Sequence, residues 1–285
     1  MSRLSQHSWN AVTPKDLPPI TPLGWVRVVL RGVPLGLVTF GCLALLLLVR
    51  LIERPLFGTR RPVTPYITQF VCRSAFLILG MRHVQFGTPM TEGGAVVANH
   101  SAWLDIFALN ARQRIYFVSK AEVAKWPGIG WLARATGTVF INRRQAEARA
   151  QKTLFETRLD AQHLLLFFPE GTSSDGRRVL PFKSTLFAAF FAPELRERMK
   201  IQPVSAVYLA PEGEDLRFYG WWGDMDFAPH LLKALAAPRN GTVEVHYHPP
   251  VAVADFADRK ALAKHLGGVV KQGLEARIGP PEGDA

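Results

Sequence analysis

The 285-residue sequence contains only two cysteines, Cys42 and Cys72, which stand in apolar surroundings and form no CxxC pair. This scarcity argues against a disulfide framework and favours a reduced environment. Nucleotide-binding motifs are also missing, because the chain has neither GxGxxG nor a P-loop. The sequence contains no GxSxG elbow either, which disfavours a covalent serine hydrolase.

Acidic residues are scarce as well. The chain has 23 Asp and Glu against 34 Lys and Arg, a net charge of +11, and its pI is near 10. This balance implies a polyanionic partner, of which anionic lipid and nucleic acid are the two common kinds. With 48% hydrophobic and 20% charged residues, the composition is that of a globular chain rather than a disordered or polytopic membrane protein.

One long uncharged run is present near the N-terminus, at residues 32–49, flanked by Arg31 and Arg50. A helix of 18 residues is roughly 27 Å long, slightly short of the roughly 30 Å hydrocarbon core. Thr64-Pro65 then predicts the N-cap and first residue of an amphipathic helix that ends at Gly80. Six arginines and a single acid lie between residues 50 and 82. This region suits an anionic membrane surface, the alternative being a solvated charge run beside a core helix.

From residue 94 onward, short apolar runs alternate with helical patterns, which predicts an α/β fold with a mostly parallel or mixed central sheet flanked by helices. The predicted strands are GAVVAN, RIYFVS, GTVFIN, HLLLFF, IQPVSAVY and TVEVHYHPPVAV. The predicted helices cover residues 102–111, 127–136, 143–161, 182–191, 230–237 and 256–276. The expected domains are an N-terminal tail (1–20), a membrane-embedded or amphipathic helical motif (21–82), a catalytic domain (83–276) and a flexible tail (277–285).

The stretch VVANHSAWLDIFAL places His100 and Asp105 five positions apart. Five positions on a helix are about 140° apart, so the two residues share a face only if His100 precedes the helix. We therefore expect His100 in the turn after the strand and Ser101 as the N-cap. Asp105 can then accept a hydrogen bond from one ring nitrogen and leave the other free as a base. The alternative is a structural histidine.

Two further strand ends carry polar residues. FFPEGTSSDG places Glu170, Gly171 and Thr172 in a tight loop whose backbone N–H groups can face an anion, and Glu170 can accept from a substrate hydroxyl. GTVFINRR places Arg143 and Arg144 at a third strand end. Carboxyl ends of neighbouring strands meet at one edge of a sheet, so these residues predict a site there.

At these residues the sequence resembles the 1-acylglycerol-3-phosphate acyltransferase family, the lysophospholipid acyltransferases. Four blocks occur in the family's order between about residues 70 and 250: NHSAWLD for Asn-His-x-x-x-x-Asp, VFINR for Phe-Ile-x-Arg, FPEGT, and IQPVSAVY with its proline. The resemblance implies an α/β domain carried on an N-terminal membrane-embedded helical motif. It also implies transfer of a fatty acyl group from acyl carrier protein or coenzyme A to a free hydroxyl of a lysolipid.

The resemblance also implies residue roles. His100 would be the general base and Asp105 its orienter, and Arg143 would hold the headgroup phosphate. Glu170, Gly171 and Thr172 would bind the acceptor, and Pro203 would shape the acyl site. We expect no metal and no cofactor beyond the acyl thioester co-substrate. Anionic membrane lipids are expected partners, and nucleic acid is not.

Two departures from the family's pattern concern the acceptor. Asn142 stands where the second block commonly has Asp, and Ser173 stands where the third commonly has Arg, so a phosphate-pairing cation is missing. Candidate replacements are Arg144, Arg177, Arg178 and Lys183. The continuation EGTSSDGRRVLPFKSTLF, with YGWWGDMDFAPHL at 219–231, resembles the branch that acylates lyso-ornithine lipid, a phosphorus-free bacterial aminolipid. Both acceptors stay open.

Two other functions compete with acyl transfer. One is a non-catalytic basic membrane protein that binds anionic lipid or nucleic acid, although the chain lacks any helix-turn-helix, OB or RRM signature. The other is a lipid hydrolase that uses the His–Asp pair on water. The WWGDMDFAPH segment is interpreted as an amphipathic rim near lipid headgroups rather than a metal or carbohydrate site. For His246 and His248 we favour structural roles. The expected location is the bacterial inner membrane with the catalytic domain on the cytoplasmic face, either through a single span or a re-entrant motif.

Overall fold

The structure, a computed structural model, describes residues 9–15, 17–126, 128–141 and 148–281, without the side chains of 148–152. Several predicted features lie outside these residues: most of the first half of the N-terminal tail, Pro127 at a helix start, Asn142, Arg143 and Arg144 with the first residues of the helix predicted from 143, and the last four residues of the C-terminal tail.

Helix α1 runs over Pro22–Phe57, far beyond the predicted apolar run. It begins where the Thr21 hydroxyl accepts a hydrogen bond from Gly24 N at 3.1 Å, with proline as its first helical residue. At about 1.5 Å per residue this helix is roughly 54 Å long. In the described part of the chain it is the one helix long and apolar enough to cross a membrane, and only 6% of its most apolar 18-residue window is buried.

Helix α2, Thr64–Leu79, follows a six-residue loop and packs back along α1. We predicted Thr64 as its N-cap, and this was wrong: the cap comes from α1. Buried Glu53 accepts hydrogen bonds from Val63 N at 2.7 Å, Thr64 N at 3.1 Å and Thr64 Oγ1 at 2.8 Å. A carboxylate at a helix N-terminus is favoured by the helix dipole, so the single acid of the arginine-rich region joins the two helices. Gly80 ends α2 with φ +66°, as predicted.

The central sheet confirms the predicted mixed architecture. Its strands in chain order are β1 Arg82–Phe86, β2 Gly94–Ala98, β3 Ile115–Lys120, β4 Val139–Ile141, β5 Leu164–Phe167, β6 Lys200–Leu209, β7 Thr242–Tyr247 and β8 Val251–Ala252. They lie side by side as β1-β7-β6-β2-β5-β3-β4, and β8 pairs with β6. The pairs that β6 makes with β7 and β8 are antiparallel and the other pairs are parallel.

Helices cover both faces of the sheet. They are α3 Leu104–Asn110, α4 Ile129–Thr136, α5 Ala148–Asp160, α6 Pro193–Arg196, α7 Phe227–Ala236 and α8 Arg259–Ile278. Successive side chains of β2 point to opposite faces of the sheet, and the core accordingly has two parts. Val96 packs with side chains of α2, α3 and α7 on one face. Its neighbour Val97 packs on the other face with side chains of α5, α8 and residues 184–191.

One strand of the structure was not predicted, and two predicted elements take a different form. Strand β1 was not predicted, because its short RHVQF run is half-exposed and weakly patterned. The segment predicted as a helix over 182–191 is a 3₁₀ helix over Ser184–Phe191. The last predicted strand is split into β7 and β8 around Pro249 and Pro250, because proline cannot donate to a strand ladder.

Candidate active site

The site begins where β2 ends, at Asn99. Its side chain continues the sheet in place of a strand residue: Nδ2 donates to Ala206 O at 2.9 Å, and Oδ1 accepts from Ala206 N at 2.8 Å. Asn99 is completely buried, so these bonds are protected from water. The chain is therefore fixed to β6 immediately before it turns at His100.

His100 and Asp105 meet as the spacing predicted. His100 lies in the turn before α3, and its Nδ1 is 2.7 Å from Asp105 Oδ2. The Asp105 side chain is fully buried, whereas 21% of the His100 side chain is exposed. Hydrogen bonding through Nδ1 leaves Nε2 as the ring nitrogen that can accept a proton from a bound hydroxyl.

Asp105 also organises the turn itself. Its Oδ2 accepts from Ser101 N at 2.7 Å and from Ala102 N at 3.0 Å, both ahead of α3. We predicted Ser101 as the N-cap of this helix, and this was wrong, since the Asp105 carboxylate takes the backbone donors that a cap would satisfy. Ser101 Oγ instead lies 3.4 Å from Asn99 Nδ2.

Tyr208, near the end of β6, completes the carboxylate's surroundings. Its hydroxyl donates to Asp105 Oδ1 at 2.7 Å. Burial, reinforced by the neighbouring Asp105 charge, raises the pKa of Tyr208 well above its ordinary value, so the hydroxyl stays protonated as a donor. With His100 and two backbone amides, this makes four hydrogen bonds to the buried carboxylate. The sequence did not predict Tyr208, which is 103 positions from its partner.

Phe168 fixes the plane of the histidine ring. The two rings stack with centroids 4.0 Å apart and an interplanar angle of 10°. Phe168 follows β5, so the second predicted strand end does approach the catalytic turn. The ring is held on one face by Phe168 and on one edge by Asp105, and this restricts the direction in which Nε2 points.

Glu170 lies beneath the turn rather than at its surface. It is 1% exposed, and its two oxygens accept from His100 N at 2.7 Å and from Leu180 N at 2.8 Å. Burial raises the pKa of the Glu170 carboxyl well above its ordinary value, more than these two hydrogen bonds lower it. The sequence predicted a direct contact with substrate, whereas the structure places both oxygens on backbone amides that hold the loop against His100.

The rest of the FPEGT block forms the turn that carries Glu170. Gly171 has φ +76°, a conformation that favours glycine, and its N–H donates to Phe168 O at 3.0 Å. Thr172 and Ser173 are half-buried. Ser174 N donates to His100 O at 2.9 Å, so the loop also hydrogen-bonds to the carbonyl side of the turn that contains His100.

Pro203 lies within β6, paired with Val97, and is buried in the sheet. Its carbonyl accepts from His248 N at 3.0 Å. Arg143 and Arg144 lie outside the described residues. The structure thus brings His100, Asp105, Glu170 and Gly171 together at the carboxyl edge of the sheet and leaves Pro203 inside it.

A buried histidine in α7, His230, links Trp103, next to α3, to the segment after β6. His230 Nδ1 accepts from Trp103 Nε1 at 2.9 Å, and His230 Nε2 lies 2.9 Å from Gly220 O. Burial lowers the pKa of His230 to about 4, so the ring is neutral and can make both bonds. Trp221 N donates to Ser101 O at 2.9 Å. The segment predicted as a headgroup rim is therefore partly a buried support, with Trp222 only 5% exposed.

A His–Asp pair at the carboxyl edge of a mixed α/β sheet defines the class: an α/β protein with a candidate acid–base histidine. Comparison with known proteins narrows that class. The family model described as Acyltransferase matches residues 83–207, a range that includes His100, Asp105 and Glu170 and ends one residue before Tyr208.

A lyso-ornithine lipid O-acyltransferase from Rhodobacter capsulatus is 59% identical over 264 residues, which are 93% of this chain and 95% of that relative. The chain belongs to the acyltransferase family. A 1-acyl-sn-glycerol-3-phosphate acyltransferase from Neisseria gonorrhoeae is 40% identical over 184 residues, 63% of this chain and 69% of that relative. The crystal structure of the 1-acyl-sn-glycerophosphate acyltransferase PlsC from Thermotoga maritima shares the fold, with a TM-score of 0.57 and 22% identity over 88% of this chain and 99% of that one.

Proposed function

We propose that this acyltransferase transfers a fatty acyl group from an acyl thioester to the free hydroxyl of lyso-ornithine lipid at the membrane surface. The observation that supports this reaction is the His100–Asp105 pair, in which the Asp105 carboxylate accepts four hydrogen bonds. The acceptor rests on the 59% identity to a relative of that name over nearly the whole chain.

In the proposed reaction His100 Nε2 takes the proton of the acceptor hydroxyl as its oxygen forms a bond to the thioester carbonyl carbon. The resulting tetrahedral intermediate expels the thiolate, and the imidazolium returns the proton to that sulfur. The products are an ester and a free thiol. The buried Asp105 carboxylate stabilises the imidazolium in between, and general-base help of this kind contributes about 10² to 10⁴ in rate.

The substrate hydroxyl rather than a protein serine is the nucleophile in this proposal. Ser101 is adjacent to the base, but its side chain is fully buried beside Asn99. The acyl donor is acyl carrier protein or coenzyme A thioester, both of which carry the same thioester. Arg143 is proposed to contact the acceptor headgroup, and Thr172 and Gly171 to line its path.

The purified protein offers a direct test with lyso-ornithine lipid and lysophosphatidic acid presented side by side with an acyl donor. We expect ornithine lipid as the main product, and His100→Ala should abolish its formation. The exposed His265 supplies a matched control, since His265→Ala should retain wild-type transfer. Preferred acylation of lysophosphatidic acid would refute the acceptor. Free fatty acid released equally with or without acceptor would refute acyl transfer in favour of hydrolysis.

We also propose that α1 lies along the membrane face rather than crossing the bilayer. Near its start, Arg31 NH1 donates to Leu235 O at 2.9 Å and Ala237 O at 2.6 Å, at the end of α7. Beyond its far end, Arg61 NH1 donates to Ala135 O at 2.7 Å, near the end of α4. Both α7 and α4 belong to the same α/β unit. A helix that spans the bilayer separates its ends by about 30 Å of hydrocarbon, which a single unit on one side cannot bridge.

The exposed apolar side chains of both helices suit this arrangement. Leu37, Leu51 and Leu77 are 70%, 73% and 82% exposed, which in water would be unfavourable and in a leaflet favourable. Acyl thioesters are made inside the cell, so the proposed face is cytoplasmic.

Cysteine labelling tests this topology. Cys42 is replaced by Ser, and single cysteines are introduced at Ser5 or at the exposed Glu212. An impermeant maleimide should label both positions from the same side of the membrane. Labelling of the two from opposite sides would establish a spanning helix.

A further inference from the structure

A charged cavity lies between segments that also contact the His100 turn, and it is not used by the mechanism above. It measures about 310 Å³. The charged side chains that line it are Lys15, Arg177, Arg178, Arg217, Glu214 and Asp215. They come from the N-terminal segment, the loop after β5 and the segment after β6. The loop after β5 and the segment after β6 leave the sheet at the same edge as the turn that contains His100.

Buried Asp175 organises the cations of this cavity. Its Oδ2 lies 3.2 Å from Arg217 Nε, and its Oδ1 lies 3.4 Å from Arg178 Nε and 3.0 Å from Arg177 N. Asp175 is fully buried, so one carboxylate fixes two guanidinium groups that themselves reach the cavity. Arg217 uses only Nε in this contact, which leaves its terminal nitrogens for a further acceptor.

Short contacts couple the cavity walls to the catalytic residues. Ser174, next to Asp175, donates to His100 O at 2.9 Å, and Trp221 donates to Ser101 O at 2.9 Å. The walls also touch each other: a Cβ added to Gly220 would lie 2.5 Å from Asp175 O. The cavity is therefore held at a fixed position relative to His100.

We infer that this cavity is the headgroup subsite for an amino-acid lipid, with Arg217 binding the headgroup carboxylate and Glu214 binding its ammonium. The inference rests on the proposed function. Ornithine linked through one amine as an amide keeps one carboxylate and one ammonium. A guanidinium matches a carboxylate by two parallel hydrogen bonds, and Asp175 already holds Arg217 in a defined orientation.

The mixed charge of the walls distinguishes this ligand from a phosphate monoester. A phosphate carries only negative charge and would meet Glu214 unfavourably, whereas a zwitterion satisfies both signs. Asp215 is already paired with Lys15, so Glu214 is the acid left to an incoming ammonium.

The test compares lyso-ornithine lipid with its carboxyl methyl ester as acceptors for the purified full-length protein. Wild type should show a KM at least about tenfold higher for the ester, because Arg217 is left without its partner. Arg217→Gln should raise the KM for the free acid to that of the ester and leave the KM for the acyl donor unchanged. Glu214→Gln should impair the free acid and ester alike.

Controls separate the possible failures. Arg198 pairs with Asp160 on another surface, so Arg198→Gln should behave as wild type. Arg217→Lys keeps the charge beside Asp175 and gives a folded comparison if the glutamine variant unfolds. Undiminished discrimination between acid and ester by either Arg217 variant would overturn the subsite alone. A wild-type enzyme that does not acylate lyso-ornithine lipid would overturn the proposed function and the subsite together.

Discussion

Replacing Asp105 by asparagine tests how much of the catalysis depends on charge and how much on orientation. Oδ2 accepts three hydrogen bonds, from His100, Ser101 and Ala102, whereas Oδ1 accepts one, from the Tyr208 hydroxyl. An asparagine whose oxygen takes the Oδ2 place keeps all three of those bonds. Its amide then faces Tyr208, whose oxygen can accept instead of donate. The substitution therefore removes the negative charge and preserves the orientation of the imidazole.

The size of the expected loss follows from the charge that forms on His100 during the reaction. At an effective dielectric constant near 20, two unit charges about 4 Å apart interact by about 4 kcal/mol. Part of this stabilisation survives as a neutral hydrogen bond. We therefore expect Asp105→Asn to lower kcat by about 10² to 10³ and leave the acceptor KM unchanged.

Single-turnover acyl transfer and thermal unfolding of wild type, Asp105→Asn and Asp105→Ala provide the measurement. The alanine variant leaves Ser101 N and Ala102 N without an acceptor, so it should lose more activity and also about 2 to 4 kcal/mol of unfolding free energy. A kcat for Asp105→Asn within about threefold of wild type would show that the carboxylate charge does not assist the reaction. Equal losses in both variants would refute the preserved orientation.

Three further perturbations address the surroundings of the pair. Tyr208→Phe removes one hydrogen-bond donor from the Asp105 carboxylate, so steady-state kinetics should show kcat lowered by about tenfold and an unchanged acceptor KM. An unchanged kcat would contradict the role of this bond. Glu170→Gln places an amide donor against one of the two backbone donors, His100 N or Leu180 N. Denaturant titrations should therefore show the free energy of unfolding lowered by about 1 to 3 kcal/mol, and an unchanged midpoint would contradict this. His230 has a folded pKa of about 4, below its ordinary 6.5, so between these pH values only the unfolded chain holds the proton. The contribution of His230 to stability should therefore be complete above pH 6.5 and fall by about 3 kcal/mol as the pH drops to 4. Between unfolding curves measured at the two pH values, wild type should lose about 3 kcal/mol more than His230→Gln, and equal losses would contradict this.

Local sequence was enough to predict the contact between His100 and Asp105. A strand that ends at Ala98 and a helix that begins within a few residues leave a turn in which His100 must lie, and five positions then bring Asp105 under its ring. Both constraints act over fewer than ten residues. The order of strands and helices was predictable for the same reason, since apolar alternation and turn residues are local signals.

The contacts that stabilise the pair were not predictable in this way. Tyr208 and Asp105 are 103 positions apart, and Trp103 and His230 are 127 positions apart. Such contacts depend on which strands and segments become neighbours, and the order of strands in the sheet is not encoded by periodicity. Glu170 was assigned to the acceptor from its place in a strand-end loop and from the family resemblance. Its burial depends on the later return of the chain at Leu180.

The arrangement separates the group that reacts from the groups proposed to select the acceptor. Residues 99–101 exchange hydrogen bonds with β6, with the loop after β5 and with the segment after β6. His100, the proposed base, is therefore fixed by three neighbouring parts of the sheet edge. Arg217 and Glu214 lie on one of those segments, beyond the contacts that hold His100. A change in headgroup preference can therefore arise by substitution at the cavity without disturbing the proton transfer. In this proposal the His–Asp pair activates a hydroxyl, and the charges around the cavity select the lipid that presents it.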